Sequence, residues 1–368
     1  MSEPRKRSTP QTRCSECGVL PFGIAVLLAL AAKLRARAWS RKVQCVVDYA
    51  APLLPAMRDQ SHPSPARRFR RDRPKWCLLA VFTASVLVLM VPIWPAWHAA
   101  AGPGPNEIVF TSNRDGSDQI YIMNATGAGA RRLTTSATDS LHATFSPDGH
   151  RLAITASRNG RWQIYVTNAD TLTPTWITAP PGSSAAAAFN SIGQTIAFES
   201  NRTGLWQIYR VNIDGSHLVR LTDLPGQSFR PAFSPDRRTI AFMSTRDGLS
   251  QIYTMRIDGS RVRRLTSPPG ESFGPAFSPG GRRIAFSSTR TGSEQLYVMN
   301  SNGSHQTRLT NASGRNYSPA FSPDGSHLIF TSTRDGTDQL YLIDVDGAHV
   351  VRLTMPPGAN FFASFRPR

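Results

Sequence analysis

The chain has 368 residues, of which 42 are Lys or Arg and 24 are Asp or Glu, so its formal net charge is +18. The excess is uneven, because residues 1–104 hold 16 basic and 5 acidic side chains, whereas residues 105–368 hold 26 and 19. All four cysteines also lie in the first part. Orientation against an anionic membrane explains a basic charge concentrated at one end, so the composition predicts no nucleic-acid partner.

Residues 1–75 form the first predicted segment, a basic cytoplasmic leader that is partly disordered. Pro, Ser and Arg are frequent in residues 1–18 and 51–75, a composition that favours low order. The apolar run from Val19 to Ala32 has 14 residues, which is short for a membrane span. Cys14 and Cys17 have half the spacing of a zinc site but lack companions at a recognisable distance, and we predict no metal site.

An apolar segment at residues 76–97 predicts a single membrane span. It is nearly uncharged, has Trp residues at its margins, and is close to the roughly 20 residues that a bilayer requires. The basic flank at residues 67–75 predicts that the leader is cytoplasmic and that the chain after the span is extracytoplasmic, in the periplasm or at the cell exterior. Residues 98–104 are then a linker. Cleavage after Ala99–Ala101 is the alternative, but the long apolar run and the long leader favour a retained anchor.

Residues 105–368 contain six repeats of 44 residues, with no insertion or deletion between their markers. Gln-(Ile/Leu)-Tyr begins at Gln119, Gln163, Gln207, Gln251, Gln295 and Gln339. A marker Phe recurs at Phe145, Phe189, Phe233, Phe277, Phe321 and Phe365, and Arg-Leu-Thr begins at Arg132, Arg220, Arg264, Arg308 and Arg352. A fixed period of about 40–45 residues is typical of a radial array whose units cannot bury their apolar faces alone.

Each repeat predicts four short antiparallel strands separated by three turns. Gly stands in the first turn of every copy, as at Gly248, because a tight hairpin needs a positive φ. Four strands per unit and six units predict an all-β fold, a six-bladed β-propeller. The first repeat lacks its first strand, and residues 360–365 align with that strand in the other repeats. We therefore predict that this last segment pairs with Ile108–Phe110 and closes the ring.

The motif Ile-Ala-Phe-x-Ser-x-Arg-Asp-Gly-x-x-Gln-Ile-Tyr, followed by Arg-Leu-Thr and then Pro-Ala-Phe-Ser-Pro-Asp-Gly, resembles the WD-like repeat of the TolB propeller family. The resemblance covers roughly the last 264 residues. It departs from TolB in one respect, since nothing before residue 105 is similar to the small α/β domain that precedes the TolB propeller. Roles of that domain are not carried over. The resemblance implies work in the cell envelope, with an envelope lipoprotein or a membrane partner.

One Arg per repeat occupies the same turn, at Arg114, Arg158, Arg202, Arg246, Arg290 and Arg334. As a ring, these residues would form a cationic collar for an anionic partner. Their identical position in every copy instead favours a repeated hydrogen-bonded brace between sheets.

Partner-binding residues are expected where the repeat varies, because a residue present in every copy is structural by default. Three residues before the marker Phe, the chain reads His142, Ala186, Arg230, Gly274, Ser318 and Phe362. The residue before the marker Gln is Trp in two neighbouring repeats but acidic in three others, which predicts an aromatic side and an acidic side. We predict that one loop face binds a partner through His142, Arg230, Arg315, Asn316, Trp162 and Trp206.

Enzymatic activity is not indicated by the sequence. It contains no Gly-x-Ser-x-Gly elbow, and most Asp residues precede Gly in turns, where local hydrogen bonding explains them. We predict no catalytic residue and no cofactor, and a non-catalytic extracytoplasmic module that binds a protein or peptide. Two alternatives stay open: a sensor of a small molecule or glycan, and a propeller lyase or glycosidase whose carboxylates converge on the channel.

Overall fold

The structure, a computed structural model, describes residues 107–223 and 225–367. The predicted leader (1–75), apolar segment (76–97) and linker (98–104) lie outside the described residues. Within the described ranges, no helix is long and apolar enough to cross a membrane.

The described residues form six four-stranded antiparallel sheets, each of which is one propeller blade. The inner strands of blades one to six are β24 (Asn360–Phe365), β4 (Ser140–Phe145), β8 (Ser184–Phe189), β12 (Ser228–Phe233), β16 (Ser272–Phe277) and β20 (Asn316–Phe321). The second strands are β1 (Glu107–Ser112), β5 (Arg151–Arg158), β9 (Thr195–Ser200), β13 (Thr239–Ser244), β17 (Arg283–Ser288) and β21 (His327–Ser332).

The third strands carry the Gln-(Ile/Leu)-Tyr marker and are β2 (Gln119–Asn124), β6 (Arg161–Asn168), β10 (Gln207–Asn212), β14 (Gln251–Arg256), β18 (Gln295–Asn300) and β22 (Gln339–Asp344). The outer strands are short: β3 (Arg131–Arg132), β7 (Pro174–Trp176), β11 (Val219–Arg220), β15 (Arg263–Arg264), β19 (Thr307–Arg308) and β23 (Val351–Arg352). Each inner strand contacts the inner strands of both neighbouring blades, and β24 contacts both β20 and β4. The ring of six blades is therefore closed, as the period predicted.

The core lies between the blades, so the second and third strands are buried on both faces. At the centre of the second strand, five blades place a Phe that is 0% exposed, namely Phe110, Phe198, Phe242, Phe286 and Phe330. The ring of each lies between 5.6 and 5.9 Å from that of the marker Tyr on the third strand. Blade two has Ile154 at this position, and its Tyr165 packs edge-on against Trp176 instead. Aromatic pairs at this separation stabilise the core beyond simple burial.

The Gln and Thr markers are linked by a buried hydrogen bond in every blade. In blade four, the Thr266 hydroxyl donates to Oε1 of Gln251 at 2.6 Å, and the backbone amide of Ile252 donates to the same hydroxyl. Nε2 of Gln251 donates to the carbonyl of Gly270, in the loop that leads to the next blade. The three groups satisfy one another, which explains why the two markers keep a constant spacing.

The predicted closure of blade one is confirmed. Strand β24 pairs antiparallel with β1, with Phe365 opposite Ile108 and Asn360 opposite Ser112. Beyond the pairing, Nη1 of Arg366 lies 2.7 Å from Oε2 of Glu107. Both ends of the described chain therefore contribute to one sheet, which leaves no open inner edge in that blade.

The ring has two faces, which we name from their turns. The hairpin face carries the turns between second and third strands together with the loops into the inner strands. Contacts such as Nε2 of Gln119 to the carbonyl of Thr138 hold the two sets of turns together. The opposite Ser-Pro face carries the turns that follow the marker Phe, and Glu107 begins β1 on that face.

Deletion of residues 360–368 should abolish cooperative unfolding. The truncated chain loses the inner strand of blade one, and a domain whose whole stability is about 5–15 kcal/mol does not tolerate an open ring of this kind. Scanning calorimetry of the full chain and the truncation measures this effect. Deletion of residues 367–368 alone is the matched control and should leave the transition in place. An unchanged transition in the longer deletion would contradict the role of β24 in closure.

Candidate functional site

The six variable residues of the inner strands line the central channel rather than the loop surface. They are His142, Ala186, Arg230, Gly274, Ser318 and Phe362, and we call them the channel ring. All six have φ between 50 and 55°, and the strand pairing shifts register beside each of them. A bulge of this kind re-aims a side chain. In each blade it turns the variable residue into the channel.

Arg230 reaches across the channel to the opposite blade. Its guanidinium carbon lies 4.4 Å from the ring centroid of Phe362, which belongs to blade one, whereas Arg230 belongs to blade four. The imidazole of His142 stacks on the same phenylalanine, with ring centroids 3.9 Å apart. These three side chains form a polar and aromatic constriction within the channel, stabilised by a cation–π contact.

Glu199 is a further channel residue that the sequence reasoning missed. Its Oε2 accepts a hydrogen bond of 2.8 Å from the backbone amide of Arg230. The corresponding residues of the other second strands are Thr111, Thr155, Met243, Ser287 and Thr331. Among the six equivalent positions of the repeats, this one alone is acidic, and that difference was the signal in the sequence. Burial raises the pKa of the Glu199 carboxyl, and the charge of Arg230 opposes that shift.

The imidazole of His142 is buried without a hydrogen-bond partner. Within the part of the chain that the structure describes, neither ring nitrogen has a donor or acceptor in reach. Burial, and then the nearby charge of Arg230, hold the pKa of His142 well below its usual range. The neutral ring therefore fits against Phe362 at ordinary pH.

Two tryptophans lie at the hairpin face, beside the start of neighbouring inner strands. The backbone amide of Trp162 donates to the hydroxyl of Ser183. The ring of Trp206 lies 6.2 Å from that of Phe229. Both indoles are half-buried. They form the aromatic side of what we call the rim, the set of hairpin-face residues around the channel mouth.

The acidic side of the rim is formed by blades six and one. Burial, and then the charge of Asp139, raise the pKa of Asp118. Oδ1 of Asp338 is buried and has no hydrogen-bond partner among the described residues. Burial, followed by the negative charge of Asp338, raises the pKa of Tyr317. The predicted acidic side is therefore present in blades one and six, whereas Glu294 of blade five is buried and paired with Arg315.

Arg315 and Asn316 differ in position although they are adjacent in sequence. Arg315 is exposed, and its Nη2 lies 2.9 Å from Oε2 of Glu294 while its guanidinium covers the ring of Tyr317. Asn316 is 0% exposed. Its amide donates to Gln295, and its carbonyl oxygen accepts from Ser332 and Arg334, so its side chain braces the blade interior.

An arginine brace is present in five of the six blades, but it acts within one blade and not, as predicted, between sheets, because its bonds go to strands of the same sheet. In blade six, Nε of Arg334 donates to Ser332 at 3.0 Å while the guanidinium lies over Tyr341. Equivalent bonds join Arg114, Arg202, Arg246 and Arg290 to a serine of the second strand. Blade two is the exception, because Ala156 replaces that serine and Arg158 lies over Trp176 instead. Within the described ranges, no group of three His, Cys, Asp or Glu side chains forms a metal site.

Comparison with known proteins identifies the fold independently. The family model described as the TolB beta propeller domain matches residues 139–226, 176–271 and 264–368. No curated protein sequence matches the chain at a significant level.

Three solved structures illustrate the fold similarity. The first is TolB from Acinetobacter baumannii, with 23% identity and a TM-score of 0.66 over 72% of this chain and 68% of that one. The second is a putative TolB from Agrobacterium tumefaciens, with 22% identity and a TM-score of 0.58 over 72% and 100%. The third is an oligogalacturonate lyase in complex with manganese, with 16% identity and a TM-score of 0.51 over 67% and 73%. Likeness at these identities shows the fold alone.

The depressed pKa of His142 makes the stability of the protein pH-dependent. In the unfolded chain this imidazole takes up a proton below about pH 6.5, whereas in the folded chain it does not. The unfolded state then binds more protons, so the free energy of unfolding should fall as the pH drops below about 6.5. Between pH 7.5 and pH 5.5, the free energy of unfolding of His142→Phe should therefore fall by about 1 kcal/mol less than that of the unaltered protein.

Denaturant unfolding at both pH values measures the difference. Phenylalanine is compatible with the backbone at this position, since Phe362 has the same positive φ. The exposed His150→Phe is the matched control for an added phenylalanine. An identical loss of stability in His142→Phe and in the unaltered protein would show that the buried imidazole titrates normally.

Proposed function

Because the chain belongs to the TolB β-propeller domain family, we propose that it is a non-catalytic binding module that holds a protein or peptide partner on the rim of its hairpin face. The observation that carries this proposal is the asymmetry of the rim. An invariant frame of six blades presents two neighbouring tryptophans on one side of the channel mouth and carboxylates on the other. Half-buried indoles on a rigid scaffold are frequent anchors of protein interfaces.

The rim chemistry indicates the kind of segment that it would bind. Trp162 and Trp206 offer apolar area at little cost in side-chain entropy. On the other side, burial and then the charge of Asp139 raise the pKa of Asp118, so this carboxylate would gain from a cationic group. Glu294 is already paired with Arg315. We propose a partner segment that places apolar side chains beside a Lys or Arg.

The non-catalytic part of the proposal rests on what the turn carboxylates do. Asp214 and Asp258 each accept hydrogen bonds from the serine two residues later, from both its amide and its hydroxyl. These bonds lower the pKa of both carboxyls. Carboxylates committed to local turns are poor candidates for general acids or bases.

We propose that the module works outside the cytoplasm on a retained single-span anchor, in the cell envelope. The proposal rests on the basic flank and apolar run at residues 67–97. It is compatible with the propeller itself, because the polypeptide enters at Glu107 on the Ser-Pro face, opposite the rim. An envelope lipoprotein is one partner that would fit such a location.

A photo-crosslinking residue in place of Trp162 or Trp206, introduced into the full chain in its native cells, should yield a discrete protein adduct. The same residue in place of Leu218 or Val262 is the matched control, since both are exposed apolar side chains on the Ser-Pro face. Replacing both tryptophans with alanine should weaken recovery of that partner about tenfold or more without a change in melting temperature. Equal adducts from both faces would contradict binding on the rim.

The location is tested by cysteine labelling in intact cells. In a full chain whose native cysteines are replaced by serine, Leu249→Cys places an exposed thiol on the hairpin face. A membrane-impermeant maleimide should label it without permeabilisation. A second variant that retains only Cys45 should be labelled only after permeabilisation, because it lies in the predicted leader. The reverse pattern would place the propeller in the cytoplasm.

A further inference from the structure

Below the constriction, the channel continues as an open space whose walls are mainly apolar but include Ser and Thr residues. Beside the channel ring lies a space of about 190 Å³. It continues past Thr144, Pro275 and Ala320 into a second space of about 550 Å³. The second space is lined mainly by the marker Phe residues, by inner-strand Ala residues and by the Pro residues of the Ser-Pro turns. The larger of the two spaces therefore lies toward the Ser-Pro face and the smaller lies beside Arg230.

Arg230 lines the smaller of these two spaces. The guanidinium of Arg230 has no hydrogen-bond acceptor and no ion pair within the ranges that the structure describes. The nearby carboxylate of Glu199 accepts from the backbone amide of Arg230 rather than from its guanidinium. A guanidinium presents five N–H donors, so Arg230 keeps its full capacity for an anion.

The neighbours of Arg230 restrict which anion fits. His142 closes one side of the constriction by stacking on Phe362, and its buried ring nitrogens do not face the open channel. The carboxylates of Glu199 and Glu294 both act on the charge of Arg230, which disfavours a doubly charged phosphate more than a singly charged carboxylate. The apolar walls beyond favour a ligand that continues as a hydrocarbon chain.

We propose that the channel binds a small amphipathic monocarboxylate, with its head group on the guanidinium of Arg230 and its apolar chain directed toward the Ser-Pro face. This site is distinct from the rim, and it holds whether or not the rim binds a protein. It assigns a ligand class to Arg230, which varies among the repeats and which the bulge turns away from the loop surface.

The test uses the full chain in phosphatidylcholine nanodiscs, with empty nanodiscs as the blank. The probe is 6,6,6-trifluorohexanoate, followed by fluorine NMR, and its neutral amide is the matched ligand. The acid should bind saturably and about tenfold or more tightly than the amide, because only the acid pairs with the guanidinium. In the series acetate, butyrate, hexanoate, affinity should rise about threefold to fourfold per methylene. Equal binding of acid and amide would overturn the proposal.

Two substitutions separate a binding role from a structural one. Arg230→Gln should weaken binding of the acid about tenfold or more and leave binding of the amide unchanged. The exposed Arg256→Gln is the matched control and should change neither. Glu199→Gln should raise the affinity for the acid several-fold, because it removes a charge of the same sign as the ligand. Loss of a merely structural residue would not produce this effect. Weaker or unaltered binding of the acid in Glu199→Gln would overturn the proposal even if Arg230→Gln failed to fold.

Two further arms exclude other sources of the signal. A peptide acid, acetyl-Ala-Leu, represents a protein C terminus, and its amide groups would lack partners along the apolar walls. It should bind more weakly than trifluorohexanoate, and tighter binding would overturn the assignment to a free acid. Replacing Trp162 and Trp206 with alanine should leave the acid unaffected. Loss of acid binding in that variant would show that the rim and the channel are one site.

Discussion

Each blade depends on a buried hydrogen bond from the marker Thr to the marker Gln. In blade four the Thr266 hydroxyl donates to Gln251, and the same Gln amide holds the carbonyl of Gly270, in the loop that leads into the next inner strand. A buried polar group that loses its partner costs about 1–3 kcal/mol. The bond therefore closes the outer part of one blade and positions the inner strand of the next. The bond recurs in all six blades.

Because the six blades share one backbone, their chemical differences lie at the positions where the residue varies between repeats. The inner strands share one bulge, and the same bulge that turns glycine into the channel in blade five turns Arg230 into it in blade four. Glu199 replaces the small or apolar residues of its column and holds the Arg230 backbone. The rim varies separately, through the residue that precedes each marker Gln. One repeated backbone thus presents two surfaces of different chemistry, an aromatic and acidic rim and a channel that holds Arg230.

The candidate residues illustrate how far spacing alone leads. Spacing identified which positions vary, and it grouped His142 and Arg230 with the loop residues near them. The structure separates them, because a positive φ redirects a side chain without changing its place in the repeat. Gly274 in the same column was the available signal of that φ. Asn316 accepts a hydrogen bond from Arg334 and is part of the brace. Arg158 makes no such brace, because Ala156 lacks the hydroxyl of the serine found in the other blades.

The sequence by itself determined the number of blades, the strands of each blade, the closure at Asn360–Phe365 and the aromatic and acidic sides of the rim. These features follow from period, turn residues and alignment, which are local or repeat every 44 residues. Only the tertiary structure decided that Arg230 crosses the channel to Phe362, that His142 stacks there and that Glu199 lies beside them. The residues come from blades one to four, and their contact depends on a ring closing to a particular diameter, which no single repeat encodes.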